Sequence, residues 1–581
     1  MEAPFLQFDF ASDGRQANTL TFAEPLQVIT AHTEDEVRPA LRAVQQAAAS
    51  GLYAAGYIAY EAAPAFDPAF GVCPQPTALP LLWFGIFSAP VTHIVQPETS
   101  GFAVSDWQPD VSRAEYSSNV AAVREALGRG DSYQVNYTVR MRAGFTGDDY
   151  AWYQRLRAAQ DSGYAAYLNL GRYKILSVSP ELFFQWDGAT IETRPMKGTM
   201  PRGRWPEEDE HHAAWLASSP KNQAENVMIV DLLRNDLSRI SQPGTVCVSK
   251  LFQVERYPTV LQMTSTVIAE TNPAITLEDI FEALFPCGSV TGAPKISTMR
   301  LIAALEKTPR QVYCGAIGFV TPGGCATFNV AIRTVVVDSE RGQAEYGVGG
   351  GITWDSNPED EYAEIWAKTA VLTEGWPEFD LLESIRLEDG SYTLLQRHLD
   401  RLESSARYFD ISISMDKVRA ALIAHAQAHA LGSHKVRLLL SKKGGVRVES
   451  GPLAPLGKEP LRVALAKQPV SSHDRFLFHK TTNRRVYEAA RMERPDVFDV
   501  LLSNEKGELT EFTTGNLVIE LDGQLWTPPR ECGLLAGTFR DELLACGVIH
   551  ERVLAVSELH AASKLWLVNS VRGWVRVELV P

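Results

Sequence analysis

Cysteine is scarce in this sequence. Its seven copies (Cys73, Cys247, Cys287, Cys314, Cys325, Cys532 and Cys546) are scattered, odd in number, and form no Cys-x-x-Cys pair. This spacing argues against a disulfide framework and a cysteine-based zinc site, and it fits a reducing cytoplasm. Long apolar runs are missing too. The most apolar stretch, residues 78–91, is too short to span a bilayer, contains Pro80 and Pro90, and reads as a buried strand. The first residues have neither a basic start nor an apolar core, so no signal peptide is expected. Positive charge is in deficit, with 55 Lys and Arg against 70 Asp and Glu and a net charge of −15. An acidic surface repels phosphate backbones and anionic lipid, so neither nucleic-acid nor membrane binding is expected. An anionic substrate must then be met by local Arg, Lys, backbone N–H or metal. Internal repeats and low-complexity tracts are absent.

What is present is the balance of a soluble globular protein: 45% hydrophobic and 22% charged residues. A chain of 581 residues exceeds what one core can organise, so two or more domains are expected. Residues 1–110 mix short apolar runs with Pro and Gly and read as strands and turns. Helical spacing follows in Ser112–Gly128 (Tyr116, Val120, Val123, Leu127), in Asn222–Ile240 (Val227, Val230, Leu233, Leu237 on one face) and in Asp360–Leu372. A breaker, Thr373-Glu-Gly-Trp-Pro-Glu-Phe379, comes next. The texture then restarts with a strand at Leu381–Leu387, an Asp389-Gly390 turn, and a helix carrying Leu399, Leu402 and Tyr408. The boundary is placed near residue 376, giving domains 1–375 and 376–581.

The first domain carries seven dense motifs. Gly130–Thr138 (GDSYQVNYT), Ser179–Phe183 (SPELF) and Arg194–Thr199 (RPMKGT) come first. Ala224–Asp231 (AENVMIVD), Gly288–Lys295 (GSVTGAPK) and Ala331–Thr334 (AIRT) follow. The last is Gly349-Gly350-Gly351 with Glu361, Glu364 and Lys368. Glu361 and Glu364 share one helix face, which is either a solvated face or, with Glu225, a site for a hard cation such as Mg²⁺. The three glycines are either a tight turn or a nest of bare N–H groups against a carboxylate. Thr291-Gly292, before a helix near Pro294, is a plain helix start or one that holds an anion. Arg333 is a surface salt bridge or a bidentate carboxylate clamp. Lys197 is a surface lysine beside a turn, or a nucleophile made neutral by desolvation.

As an ordered set, these motifs resemble the chorismate-utilising enzyme family over about Ser112–Leu372. The resemblance implies an α+β fold of β-sheets flanked by helices. It implies that Glu225, Glu361 and Glu364 lie around a Mg²⁺ that binds the ring carboxylate of chorismate. Thr291, Gly292, Tyr313, Arg333 and the Gly349–Gly351 amides would hold the enolpyruvyl side chain, with Lys368 nearby. Two positions select among family members. Gln134 stands where water-activating relatives have Lys, and an amide has no useful basicity, so ammonia fits better as nucleophile. Lys197 stands where anthranilate and isochorismate synthases have Ala, and aminodeoxychorismate synthases have Lys. The implied reaction is attack of Lys197 on carbon 2 of chorismate, with Glu181 as general acid for the departing 4-hydroxyl, then displacement by ammonia. Two departures are noted: Gln262 replaces a His of several relatives, and Met196 replaces an Ile of similar size. No Gly-x-Cys-x-Gly elbow is found, so ammonia is expected from a separate glutamine amidotransferase subunit or free ammonium.

In the second domain, pyridoxal chemistry needs a lysine, an acid beside the pyridine nitrogen and a phosphate cup. Lys480, Glu511, and Arg401 with Gly537-Thr538 at a helix start are the candidates. Each has a plainer reading: a solvated lysine, a strand-edge charge, and a turn into the final helix. Their order resembles the α/β fold-type IV aminotransferases, which include aminodeoxychorismate lyase, over Phe379 to the end. The resemblance implies pyridoxal 5′-phosphate on Lys480, proton transfer that expels pyruvate, and a homodimer. The hairpins that precede Phe379-Asp-Leu-Leu-Glu-Ser384 in relatives are missing here. Together the two resemblances imply consecutive steps, from chorismate to 4-amino-4-deoxychorismate to 4-aminobenzoate. The alternatives are a second domain that is a general class IV aminotransferase or a non-catalytic dimerisation module, and a first domain that makes anthranilate.

Overall fold

The computed structural model describes residues 4–12, 16–91, 101–160, 162–370, 372 and 377–580. Most of the expected breaker, residues 373–376, lies outside the described residues, and so does the expected boundary. The chain divides into two compact units: Met1–Pro201 with Ala213–Trp376, and Arg202–His212 with Pro377–Pro581.

The first unit is built on two ten-stranded sheets, antiparallel throughout the described pairs. One runs from the edge strand Gly292–Ala293 through Gln134–Gly147 and Gln343–Ile352 to Phe5–Ser12 and Gln16–Ala23. The other runs from Met196–Pro201 through Val260–Glu270 to Tyr53–Ile58, Leu82–Phe87 and Gln27–Ala31. Leu6, Phe8 and Phe22 of the first sheet and Ala55, Tyr57, Phe87 and Ile317 of the second share one buried cluster. Burying each large side chain there contributes about 1.5–3 kcal/mol. The stretch expected to be a buried strand is one, shortened to Leu82–Phe87, with every residue buried.

Helices cover the sheets where the periodicity indicated. Arg113–Gly128 starts at Ser112, whose hydroxyl accepts from the Glu115 N–H at 3.3 Å, and buries Tyr116, Val120 and Val123. The second expected helix spans Pro220–Ser238. It begins earlier than expected because Ser219 caps it and Pro220 suits the first turn. Val230, Leu233 and Leu237 are buried, but Val227 is exposed: the helix turns that position outward, and Asn226 takes a buried place instead.

In the second unit, a four-stranded antiparallel sheet centred on Leu381–Glu388 and Ser433–Leu440 packs against helices Leu395–Tyr408 and Met415–Ala428. An eight-stranded mixed sheet carries the rest, with parallel pairing of Leu461–Leu465 to Asp499–Ser503 and to Gly573–Leu579. This mix of helix and sheet in both units is the expected fold class.

Candidate active sites

Lys197 owes its position to a bulge. In the pairing of Met196–Pro201 with Val260–Glu270, Met196 faces Thr264 and Thr199 faces Gln262, so Lys197 and Gly198 together oppose one residue. Gly198 takes φ +98°, a conformation that suits glycine, and the bulge turns the lysine out of the ladder. Two side chains from outside the strand hold it. Gln262 donates to the Gly198 carbonyl at 2.9 Å and accepts from the Thr199 hydroxyl at 2.9 Å. Asn226 donates to the Lys197 carbonyl at 3.4 Å and accepts from Ser265 at 2.6 Å. The residue noted as a departure from relatives is therefore a clamp on the bulge.

Gly351 shows what the ammonium faces. A Cβ there would fall 2.0 Å from Gln134 Nε2 and 2.3 Å from Lys197 Nζ, so only glycine leaves room for both. Burial pushes the Lys197 amine below its ordinary value; Glu225 opposes this most, and Lys368 reinforces it. Glu181 is 3% exposed, and its Oε1 has no hydrogen-bond partner among the described residues. Burial raises its carboxyl to about 7. The buried Oε1 of Gln134 is likewise unpartnered. Unsatisfied buried oxygens are costly unless a ligand meets them, so both suit a binding cavity.

Glu361 and Glu364 do converge. A Cβ on Gly350 would lie 3.2 Å from a Glu361 oxygen and 3.9 Å from a Glu364 oxygen. Glu364 is paired with Lys368 at 2.6 Å, and Lys368 also donates to the Gly349 carbonyl at 2.8 Å. Burial and Glu364 push the Glu361 carboxyl up. Among the described residues no three His, Cys, Asp or Glu side chains form a metal cage, so the expected trio with Glu225 is not assembled. Mg²⁺ prefers one or two carboxylates with water and substrate oxygens, and the Glu361–Glu364 pair fits that habit.

Gly349–Gly351 form neither a tight turn nor a nest: they lie in the strand Gln343–Ile352, opposite Thr138, Tyr137 and Asn136, and none has positive φ. Their value is the missing Cβ. Thr291 is fully buried, and its hydroxyl donates to the Cys287 and Gly288 carbonyls at 3.1 and 3.3 Å, so its single proton is committed to backbone. Gly292, at φ +140°, lets its strand approach Gln134, whose carbonyl a Cβ would meet at 2.0 Å. Tyr313 packs in the core, beneath the Arg140 guanidinium. Arg333 has no carboxylate partner among the described residues. It donates to Gln160 Oε1 at 2.5 Å, and burial lowers its pKa. It is not a surface salt bridge, and a desolvated guanidinium of this kind suits an anion.

In the second unit, Lys480 follows the buried His479, and its carbonyl accepts from the Leu382 N–H at 2.9 Å. Burial and the nearby Arg401 lower its amine to about 7. Glu511 is 4% exposed. It accepts from the Tyr487 hydroxyl at 2.8 Å, the Leu535 N–H at 3.1 Å and Asn516 at 3.3 Å, and burial raises it to about 7. Arg401 grips Glu383 through two bonds, 2.9 and 2.6 Å, and donates to the Ala536 carbonyl at 3.0 Å. Glu383 also meets His398 Nδ1 at 2.6 Å, and His398 Nε2 lies 3.2 Å from the Thr538 hydroxyl. Gly537 caps the helix Thr538–Ala545, and a Cβ on it would sit 2.0 Å from Asn516 Oδ1. A lysine, a buried acid and a cup of Arg401, Gly537 and Thr538 are the donor set that pyridoxal phosphate needs. Sequence reasoning missed Glu383, Tyr487 and Asn516. Glu383 and Asn516 had a signal, the first standing inside the Phe379–Ser384 motif and the second closing the motif Gly507–Asn516; Tyr487 had none.

The family model described as chorismate binding enzyme matches residues 6–374. The chain belongs to the chorismate binding enzyme family. Residues 380–580 match the model described as amino-transferase class IV. Aminodeoxychorismate synthase component 1 of Salmonella typhimurium is 42% identical over 264 residues, 45% of this chain and 58% of that protein. Anthranilate synthase component 1 of Streptomyces coelicolor is 39% identical over 272 residues, 46% of this chain and 52% of that protein. The chain thus spans less than two thirds of either relative. The solved anthranilate synthase component I of Streptococcus pneumoniae superposes with a TM-score of 0.53 at 25% identity, covering 64% of this chain and 93% of that one. Overall identity barely separates two different reactions, so the choice between them rests on particular side chains.

Proposed function

We propose that the chain converts chorismate to 4-amino-4-deoxychorismate at the Lys197 site and then to 4-aminobenzoate and pyruvate at the Lys480 site. The observation that carries this reading is the Lys197 amine, turned out by a glycine bulge and facing Gln134 across the bare Gly351. Gln134 cannot serve as a base for water, which favours an amine nucleophile. Lys197 attacks carbon 2 of chorismate, both ring double bonds shift (C1=C2 to C1=C6 and C5=C6 to C4=C5), and the 4-hydroxyl leaves as water with the proton of Glu181. Ammonia then attacks carbon 4, both double bonds shift back, and the lysine departs as its amine, with the proton lost by the incoming ammonia balancing the one the lysine takes up. Glu361 and Glu364 would hold Mg²⁺, which supplies positive charge to the ring carboxylate, while Arg333 suits the side-chain carboxylate.

At the second site, pyridoxal 5′-phosphate would supply an electron sink when bound. Lys480, with its pKa near 7, is suited to hold and return a proton. Glu511 would face the pyridine nitrogen, and Arg401 with Gly537 and Thr538 the phosphate. The relatives' designation as component 1 supports a separate amidotransferase subunit as ammonia source. All seven cysteines are free, and no described helix is long and apolar enough to cross a membrane, which supports a cytoplasmic setting. A homodimer is part of the proposal.

The test incubates the chain with chorismate, Mg²⁺, pyridoxal 5′-phosphate and ammonium and identifies the product by mass spectrometry. 4-Aminobenzoate is expected. Anthranilate would overturn the first half, and stable 4-amino-4-deoxychorismate the second.

A further inference from the structure

Residues 202–212 lie inside the span matched to the chorismate binding enzymes, yet they pack as part of the second unit. Arg202 pairs with Asp209 at 2.7 Å, lies 4.6 Å from the centre of the Tyr408 ring and donates to the Tyr408 carbonyl at 2.8 Å. The Tyr408 hydroxyl donates to the Gly203 carbonyl at 2.6 Å. Trp205 packs on Phe478 with ring centres 5.0 Å apart. Arg204 lies over both rings and donates to the Ser472 and Glu531 carbonyls at 3.2 and 3.3 Å. Gly203 is closely confined, since a Cβ would fall 2.1 Å from the Asp209 nitrogen.

These contacts converge on His479, the neighbour of Lys480. Its ring is 3% exposed and stacks on Tyr408 at an interplanar angle of 28°, with centres 4.2 Å apart. Nδ1 lies 3.0 Å from the Ser405 hydroxyl, and Nε2 lies 3.2 Å from the Arg204 carbonyl oxygen. Burial, with Arg530 and other guanidiniums nearby, pushes the imidazole down to about 3, so the ring is neutral. A neutral imidazole has one donor and one acceptor, and a carbonyl only accepts. Nε2 therefore donates to Arg204, and Nδ1 accepts from Ser405. A main-chain carbonyl of the 202–212 segment sets the tautomer and orientation of the residue that precedes Lys480.

We propose that residues 202–212 are a positioning element of the Lys480 site, acting through His479 and Phe478. The second site is then completed by chain that belongs to the first family's sequence. The inference rests on Lys480 being the cofactor lysine. It is tested on the full chain by titrating pyridoxal 5′-phosphate, reducing with borohydride and quantifying the modified Lys480 peptide across pH. In Trp205→Ala and His479→Phe, the half-saturating concentration is expected to rise about tenfold, the scale of one lost buried hydrogen bond. The pH midpoint of labelling should move upward as Lys480 becomes less enclosed. His479→Gln, which retains an N–H donor, should restore both toward wild type. Ammonia-dependent chorismate consumption by Trp205→Ala should stay unchanged.

Wild-type concentration dependence and pH midpoint in both Trp205→Ala and His479→Phe would overturn the inference alone. Equal losses in His479→Gln and His479→Phe would overturn the tautomer argument that carries it. Wild-type protein that is not labelled at Lys480 would overturn the cofactor reading, and this inference with it.

Discussion

Lys197 and Lys480 are two buried amines in opposite company. Around Lys197 the principal charges are the carboxylates Glu225, Glu364 and Glu361, set against the single cation Lys368. Burial lowers that amine against the pull of its neighbours. Around Lys480 the leading charge is the Arg401 guanidinium, which acts in the same direction as burial, and the pKa falls to about 7. The difference matches the tasks proposed for them. An amine that relays protons works best with a pKa near the working pH. An amine that attacks carbon needs only a sufficient neutral fraction and a fixed aim, and the bulge at Gly198 supplies the aim. The acids differ as well: Glu181 keeps an unpartnered oxygen, whereas Glu511 is held by Tyr487, Asn516 and Leu535.

The largest expected effects separate the two lysines. Lys197→Ala should lower amination of chorismate by on the order of 10³-fold, with no intermediate formed. Lys480→Ala should leave amination intact, remove visible cofactor absorbance, and let 4-amino-4-deoxychorismate accumulate on chromatography. Loss of 4-aminobenzoate without that accumulation would break the comparison.

A smaller effect is expected at Gly351. A methyl group there meets the Lys197 ammonium and the Gln134 amide, both ends of flexible side chains, so Gly351→Ala should fold normally. Amination should fall about 10²-fold, because a displacement near 1 Å costs that much in a positioned reaction. A variant with wild-type rate would show that Lys197 need not occupy this place.

The acid Glu181 sharpens the pH side. As a proton donor it must be neutral, so amination is expected to fall as pH rises through about 7, and Glu181→Gln should abolish that limb. The same raised pKa has a stability consequence. Its contribution is full below the ordinary carboxyl value of 4.5 and is lost as pH rises through about 7. Glu181→Gln should flatten this part of the thermal-unfolding profile. An unchanged profile would show that the carboxyl titrates normally.

Much of this was legible in the sequence because it is local. The helix Arg113–Gly128 and the strand Leu82–Phe87 follow from periodicity and caps, and Lys197, Glu181, Lys480, Glu511 and Arg401 follow from motif resemblance. The glycine misreading arose where distant partners decide. Three successive glycines suit a nest equally well, until pairing with Gln134–Gly147 draws them into a strand. The Thr291 hydroxyl donates to the Cys287 and Gly288 carbonyls, a pairing that the motif alone does not spell out.

The sequence by itself singled out the candidate groups: two lysines, their acids, and the acidic, cysteine-poor chain that bears them. Tertiary structure alone decided which of those groups meet. It brought Gln134, Lys197 and Gly351 together from three strands, joined Glu383 to His398 and Arg401, and lent residues 202–212 to the neighbourhood of Lys480. The physical reason is that a pKa, a tautomer or a clash depends on distances of a few ångströms. Those distances are set by packing between segments far apart in the chain, where sequence spacing carries no information.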